Sequence, residues 1–145
     1  YMEKERERAQ KLGYPSPIQP TKADTDKAFD DAQEYAFNHL STISIFCGTH
    51  NEKSVQLLAE LMEKGGIPKS DPRITFSQLL GMSDNISFML ANQGYNVAKY
   101  IPYGPVREVM PYLIRRAQEN TSVKGQTGRE LSLINQELLR RKRIS

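Results

Sequence analysis

The sequence predicts an α/β fold with parallel strands, and three observations lead there. Three short apolar runs, ISIFCG, RITFSQLLG and NVAKYI, alternate with longer stretches of helical periodicity. Each run is bounded by turn or capping residues, as buried strands are. The chain has 145 residues, enough for one domain with a real core. Strands that alternate with helices imply crossover connections and hence parallel pairing. Three strands are few for such a sheet, so it is either small or a piece of a (β/α) barrel.

The elements follow in order. MEKERERAQKL (Met2–Leu12) is a helix of mixed charge, exposed on most sides. GYPSPIQPTK carries three prolines in ten residues and is a loop. ADTDKAFDDAQEYAFNHL is an amphipathic helix with Ala28, Ala32, Tyr35, Ala36 and Leu40 on its apolar stripe. Ile43–Gly48 is a strand buried on both sides. NEKSVQLLAELMEKGG is a helix capped by Asn51 and ended by Gly65. RITFSQLLG contains the second strand, and SDNISFMLANQGY starts with capping residues and runs as a helix closed by Gly94. NVAKYI is the third strand. PVREVMPYLIRRAQENTS is a helix, and GRELSLINQELLRRKR is another, in a basic helix over about 126–143.

Composition narrows the class. Hydrophobic residues make up 38% and charged residues 26%, which excludes a disordered chain. Cys47 is the single cysteine, so no internal disulfide framework exists and a reducing compartment suits the chain. No apolar run approaches the roughly 20 residues of a bilayer span. The opening YMEKERERAQ is not a signal peptide and reads as the inside of a longer protein. Net charge is +3, yet from Val106 onward nine Lys or Arg stand against four Glu. A basic end of that kind suits an anionic ligand, a membrane surface or a nucleic acid.

Ligands of parallel α/β folds sit at the carboxyl ends of the strands. Those ends read GTHN (Gly48–Asn51), QLLGMSDN and KYIPYG. In the first, exposed amides, the Thr49 hydroxyl and the His50 imidazole at a helix start would suit a phosphate, although Thr and Asn also serve as plain caps. His39 reads as a surface residue at a helix end. One strand-end histidine without a Cys or acidic cluster argues against a metal site. In YLIRRAQEN, Tyr112, Arg115, Arg116 and Glu119 share one helical face. Two arginines in register could clamp a small carboxylate bidentately, held by Glu119 one turn on, or could form a solvated basic face.

In this order, the THN strand end, the LLGM strand end, the Y-x-P-x-G of YIPYG and the helix YLIRRAQEN resemble the proline dehydrogenases, over nearly the whole chain. IPYGPVREVMPYLIRRAQENTS and GRELSLINQELLRR are similar to the monofunctional branch found in mitochondria and some bacteria. The resemblance implies the C-terminal portion of a distorted (βα)8 barrel with its first half absent, so this chain alone is not expected to be active. It implies an FAD enzyme that oxidises L-proline to Δ1-pyrroline-5-carboxylate and passes electrons to a quinone. Arg115 and Arg116 then match the arginines that bind the carboxylate, and Glu119 the glutamate that holds them. Tyr100, Tyr112 and Leu79 match residues that close over the ring. Thr49, His50, Lys22 and Arg116 fall to the cofactor, and Tyr1 to the truncated end of a substrate-side strand. The implied setting is the bacterial cytoplasm at the inner membrane, or alternatively the mitochondrial inner membrane or matrix. Self-association through open sheet edges and peripheral membrane contact by the basic helix are further expectations. Without the resemblance, the competing reading is a basic module that grips an anionic partner through Arg107, Arg115, Arg116, Arg140, Arg141 and Arg143, and a further alternative is a non-catalytic fragment kept only for assembly. Aromatic residues are not interleaved with those arginines as single-strand nucleic-acid binding requires.

Overall fold

The computed structural model describes residues 2–122 and 126–142, with the side chains of 117–130 and 133 excepted. Nine elements follow one another: α1 (Met2–Leu12), α2 (Lys22–Asn38), β1 (Ile45–Gly48), α3 (Glu52–Lys64), β2 (Ile74–Leu79), α4 (Asp84–Asn92), β3 (Val97–Tyr100), α5 (Val106–Ser122) and α6 (Gln126–Lys142). The expected order of elements is the observed one, with strand ends drawn in by at most two residues. Tyr1 and Arg143 lie outside the described residues.

The sheet has the order β1-β2-β3 and both pairings are parallel. Ile45 pairs with Ile74 and Cys47 with Phe76, while Phe76 pairs with Val97 and Leu79 with Tyr100. Paired residues of a parallel sheet point to one side, and side chains alternate along each strand. Ile45, Cys47, Ile74, Phe76 and Val97 therefore share a face with the helices. Leu58 and Met62 of α3, Ile86 and Leu90 of α4, and Leu40 and Tyr95 complete that core. Phe46, Ser77, Leu79, Ala98 and Tyr100 belong to the opposite face.

Two expectations change here. β1 is buried on one side only: Ile45 and Cys47 are buried, whereas Phe46 is 67% exposed. The core helices α2, α3 and α4 pack on one face of this sheet, and α5 meets the other at Tyr100. The apolar stripe of α2 is also rotated. Ala28, Ala32 and Tyr35 are exposed, and Phe29, Gln33, Ala36 and Phe37 face inward with Leu40. Tyr35 instead stacks on His39, with ring centroids 4.2 Å apart.

Gln33 explains the rotation, because it is a polar residue with buried partners. Its amide donates to the Ser54 carbonyl at 3.3 Å, and its Oε1 accepts from the Cys47 thiol at 3.1 Å. Burial, with a smaller contribution from the Asp30 charge, pushes the Cys47 thiol up to about 12. Cys47 is therefore a protonated core residue and no nucleophile.

The amino ends of the strands are fastened by an ion pair. Asp71 accepts from the Arg73 amide and Nε at 2.9 Å each and from its other guanidinium nitrogen at 2.7 Å. Arg73 also donates to the Leu40 carbonyl, and the Asn96 amide donates to the carbonyls of Asp71 and Ile74. The Arg73 hydrogen bonds hold the Asp71 carboxyl down at about 2. An unfolded aspartate titrates near 3.9. Between these values only the unfolded chain takes up the proton, so the stabilisation is full above pH ~4 and is lost as pH falls through ~2. Chemical denaturation from pH 5 to pH 2 should show Asp71→Asn losing stability less steeply than the unchanged protein; parallel curves would contradict the assignment.

Candidate active site at the carboxyl ends of the strands

All three strands deliver their carboxyl ends to one edge, where three loops meet. The β1–α3 loop is built by local capping. The Asn51 side chain accepts from the Lys53 amide at 3.0 Å, as the sequence predicts, and the Thr49 hydroxyl accepts from the Asn51 amide at 3.1 Å. Each satisfies an amide that a helix start would otherwise leave unpaired. Thr49 and His50 are half-buried.

The next strand braces this loop. Gln78 of β2 is buried on the helix side of the sheet, and its amide donates to the Thr49 carbonyl at 3.3 Å. Its own oxygen accepts from the Ser87 hydroxyl at 2.8 Å. His50 Nδ1 is hydrogen-bonded to the Ser83 hydroxyl at 2.9 Å. Sequence reasoning missed Gln78 and Ser83, because their partners lie about thirty positions away. Ser83 stands at the start of α4, as expected of a capping residue, yet its side chain makes no cap. Its backbone lies in the left-handed region, at φ 49° and ψ 42°, a conformation that costs a non-glycine residue about 1–2 kcal/mol.

The β2–α4 loop is also tied to β3, by Lys99. Its ammonium donates to the Met82 carbonyl and to Asp84 Oδ1, each at 2.7 Å. The residues before and after Ser83 are thus both held from β3.

The opposite face of the sheet carries an aromatic and cationic cluster. Leu79 and Tyr100 pair across β2 and β3 and so point the same way. The Tyr100 ring meets Tyr112 of α5 edge-on, with centroids 6.1 Å apart and planes at 67°. The Arg116 guanidinium lies over the Tyr112 ring, 5.4 Å from its centroid, a cation–π arrangement. The spacing Tyr112–Arg116 is one helical turn, so the contact follows from the sequence. Tyr112 and Arg116 are half-buried, whereas Arg115 is exposed. Glu119 falls within α5, but its side chain lies outside the described residues. Lys22 begins α2, exposed, and pairs with Asp26 one turn on. Tyr1, expected on the substrate side, lies outside the described residues.

In α6, Glu137 accepts from Arg140 Nε at 2.7 Å and from Arg141 Nε at 2.9 Å. These hydrogen bonds hold the Glu137 carboxyl at about 2. Two of the arginines of the competing basic-module reading are thereby engaged within their own helix. Among the described residues no group of three or more metal-ligating side chains occurs.

Comparisons with known proteins bear on the same residues. The family model described as proline dehydrogenase matches residues 1–129. Over 146 residues the chain is 44% identical to proline dehydrogenase 1, mitochondrial, of Homo sapiens, covering 99% of this chain and 24% of that protein. It is 43% identical over 145 residues to hydroxyproline dehydrogenase of Bos taurus, covering 97% of this chain and 31% of that protein. The chain thus spans only a quarter to a third of the length of these curated relatives. Among solved structures it resembles proline utilization A (PutA) from Bdellovibrio bacteriovorus inactivated by N-propargylglycine, with a TM-score of 0.76 and 30% identity over 86% of this chain and 13% of that one. The parallel α/β arrangement is accordingly a segment of a TIM-barrel-like fold. With three strand ends converging on one edge, the Tyr100–Tyr112–Arg116 cluster among them, and a family match that runs through that cluster, the chain belongs to the proline dehydrogenase family.

Proposed function

We propose that the protein oxidises L-proline to Δ1-pyrroline-5-carboxylate with FAD as cofactor, and that residues 1–145 form the C-terminal part of the catalytic barrel. The observation that carries this reading is the contact of Tyr100, Tyr112 and Arg116 on the face of the sheet opposite the core helices. Proline is small and offers one strong handle, its carboxylate. A guanidinium fits that handle with two parallel hydrogen bonds. Stacking on Tyr112 limits the motion of Arg116 before any ligand arrives, which lowers the ordering cost of binding. Arg115, one position earlier, supplies a second charge, and Glu119 the balancing carboxylate. Leu79, Tyr100 and Tyr112 would close over the ring and exclude water, so that the ring is fixed before transfer.

The family is flavin-dependent, and the residues of the first strand end fit such a group. The half-buried Thr49 and His50 stand where a strand meets a helix start, a setting that favours phosphate. We assign Thr49, His50 and Arg116 to the cofactor, with Lys22 at the outer end of that binding region. Bound there, FAD would accept the hydride from the ring carbon next to nitrogen at its N5. This chain's residues bind, orient and exclude water.

A quinone as final acceptor and peripheral membrane contact through the basic end of α6 belong to the same proposal. No helix among the described residues is long and apolar enough to cross a membrane. The mitochondrial names of several relatives favour the mitochondrial inner membrane or matrix over the bacterial cytoplasm. The hydroxyproline dehydrogenases are 43% identical, against 44% for a proline dehydrogenase, so hydroxyproline is the second substrate to consider. One experiment covers both. The intact protein should show flavin absorbance that bleaches on adding L-proline without oxygen. Bleaching by hydroxyproline alone would move the assignment to that substrate, and a flavin that neither bleaches would refute the oxidation.

A further inference from the structure

We infer that Ser83 is a positioning residue for His50: its hydroxyl donates to Nδ1, which fixes the imidazole proton on Nε2 and aims that N–H as a donor. This rests on the proposed cofactor role of His50, since a phosphate oxygen needs a donor there and not a second acceptor.

Three observations carry the assignment. The first is the hydrogen bond itself, 2.9 Å between the Ser83 hydroxyl and His50 Nδ1, across 33 positions of sequence. A neutral imidazole has one donor and one acceptor nitrogen, and the bond made at one sets the role of the other.

The second is what Ser83 gives up. A serine at a helix start ordinarily caps it with its side chain. Here the cap is absent, and the hydroxyl turns to the neighbouring loop instead. The helix start is served by the Ser83 carbonyl, which accepts from the amides of Ile86 and Ser87 and from the Ser87 hydroxyl.

The third is the backbone. Ser83 is the non-glycine residue with positive φ among the described residues, and Gly81 two positions earlier has φ 76° in the same loop. Glycine takes this conformation without steric cost. Where the loop needs only the conformation it has glycine; at 83 it has a residue that bears the strain and carries a hydroxyl. The conformation is held from outside, because Lys99 binds the carbonyl of Met82 and the carboxylate of Asp84 on either side. Strain persists where the surroundings over-determine it. Ser83 is buried, at 6% exposure, which limits competition from water for the bond.

The test uses the intact protein with 15N-labelled histidine, the His50 signals being identified by their loss in H50A. In the unchanged protein His50 should show an unprotonated Nδ1 and a protonated Nε2. In Ser83→Gly, which removes the hydroxyl and relieves the backbone, the two nitrogen shifts should move toward the averaged values of a free imidazole. Ser83→Ala, which keeps the strain, should do the same. FAD affinity, read by fluorescence titration, should fall roughly threefold to tenfold in Ser83→Gly, the scale of one hydrogen bond. That loss should vanish in the His50→Ala background if Ser83 acts through His50. A proton on Nδ1 in the unchanged protein, nitrogen shifts that ignore both substitutions, or an equal loss in the His50→Ala background would overturn the assignment. Unchanged FAD affinity in His50→Ala would instead overturn the cofactor reading of His50 beneath it.

Discussion

Replacing Arg116 by lysine in the intact protein is expected to raise the half-saturating L-proline concentration by roughly ten- to a hundredfold. A hydrogen bond to a charged group contributes about 1.5–3 kcal/mol, and each 1.4 kcal/mol is a factor of ten. Lysine keeps the charge but cannot make two parallel hydrogen bonds to a carboxylate, nor lie flat on a ring as a guanidinium does. Arg116 sits half-buried over Tyr112, so the substitution removes a group whose position is already set. Arg115→Lys should act in the same direction and more weakly, because Arg115 is exposed. Steady-state kinetics with proline as the varied substrate would measure both. Near-normal saturation in the Arg116 variant would remove the clamp from the mechanism.

Phe76→Ala should cost about 3–5 kcal/mol of folding stability, the range for removing a large aromatic from a packed core. Phe76 is fully buried in the central strand and meets Tyr95 edge-on, with centroids 5.4 Å apart. Its neighbours in the sheet are Cys47 and Val97, so the cavity would open where the layers join and no single side chain could fill it. Domains are stable by only about 5–15 kcal/mol, so the loss is a large share. Urea denaturation of the intact protein would show it as a lower midpoint. A shift equivalent to less than 1 kcal/mol would mean that the strand relaxes onto the helices far more readily than its packing indicates.

Strand-helix alternation was legible because it rests on local periodicity, and so were Asn51 as a cap and the Tyr112–Arg116 spacing. The stripe of α2 was misread for a physical reason. Alanines on that helix score as apolar wherever they stand, whereas the buried Gln33 scores as polar although its amide is bonded on both sides. The exposed Tyr35 misleads in the opposite sense, being an aromatic residue that finds its partner in His39 on the surface. Ser83 was legible as a helix start and illegible as the partner of His50. Nothing in SDN reports a left-handed backbone, and nothing local reports a loop brought close by the order of strands. The twin arginines were visible as a pair, but their unequal burial depends on how α5 lies against the end of β3.

The alternation along β2 has a consequence for how this protein can be altered. Phe76 and Gln78 serve the core and the bracing of the Thr49 loop, whereas Ser77 and Leu79, the residues between them, belong to the face where Tyr100 stands. Residues one step apart therefore answer to different demands. Under the proposed function, libraries that vary the Leu79 and Tyr100 positions would probe the ring contacts while Phe76 and Gln78 stay untouched. A single inserted residue within the strand would exchange the two sets and lose both at once.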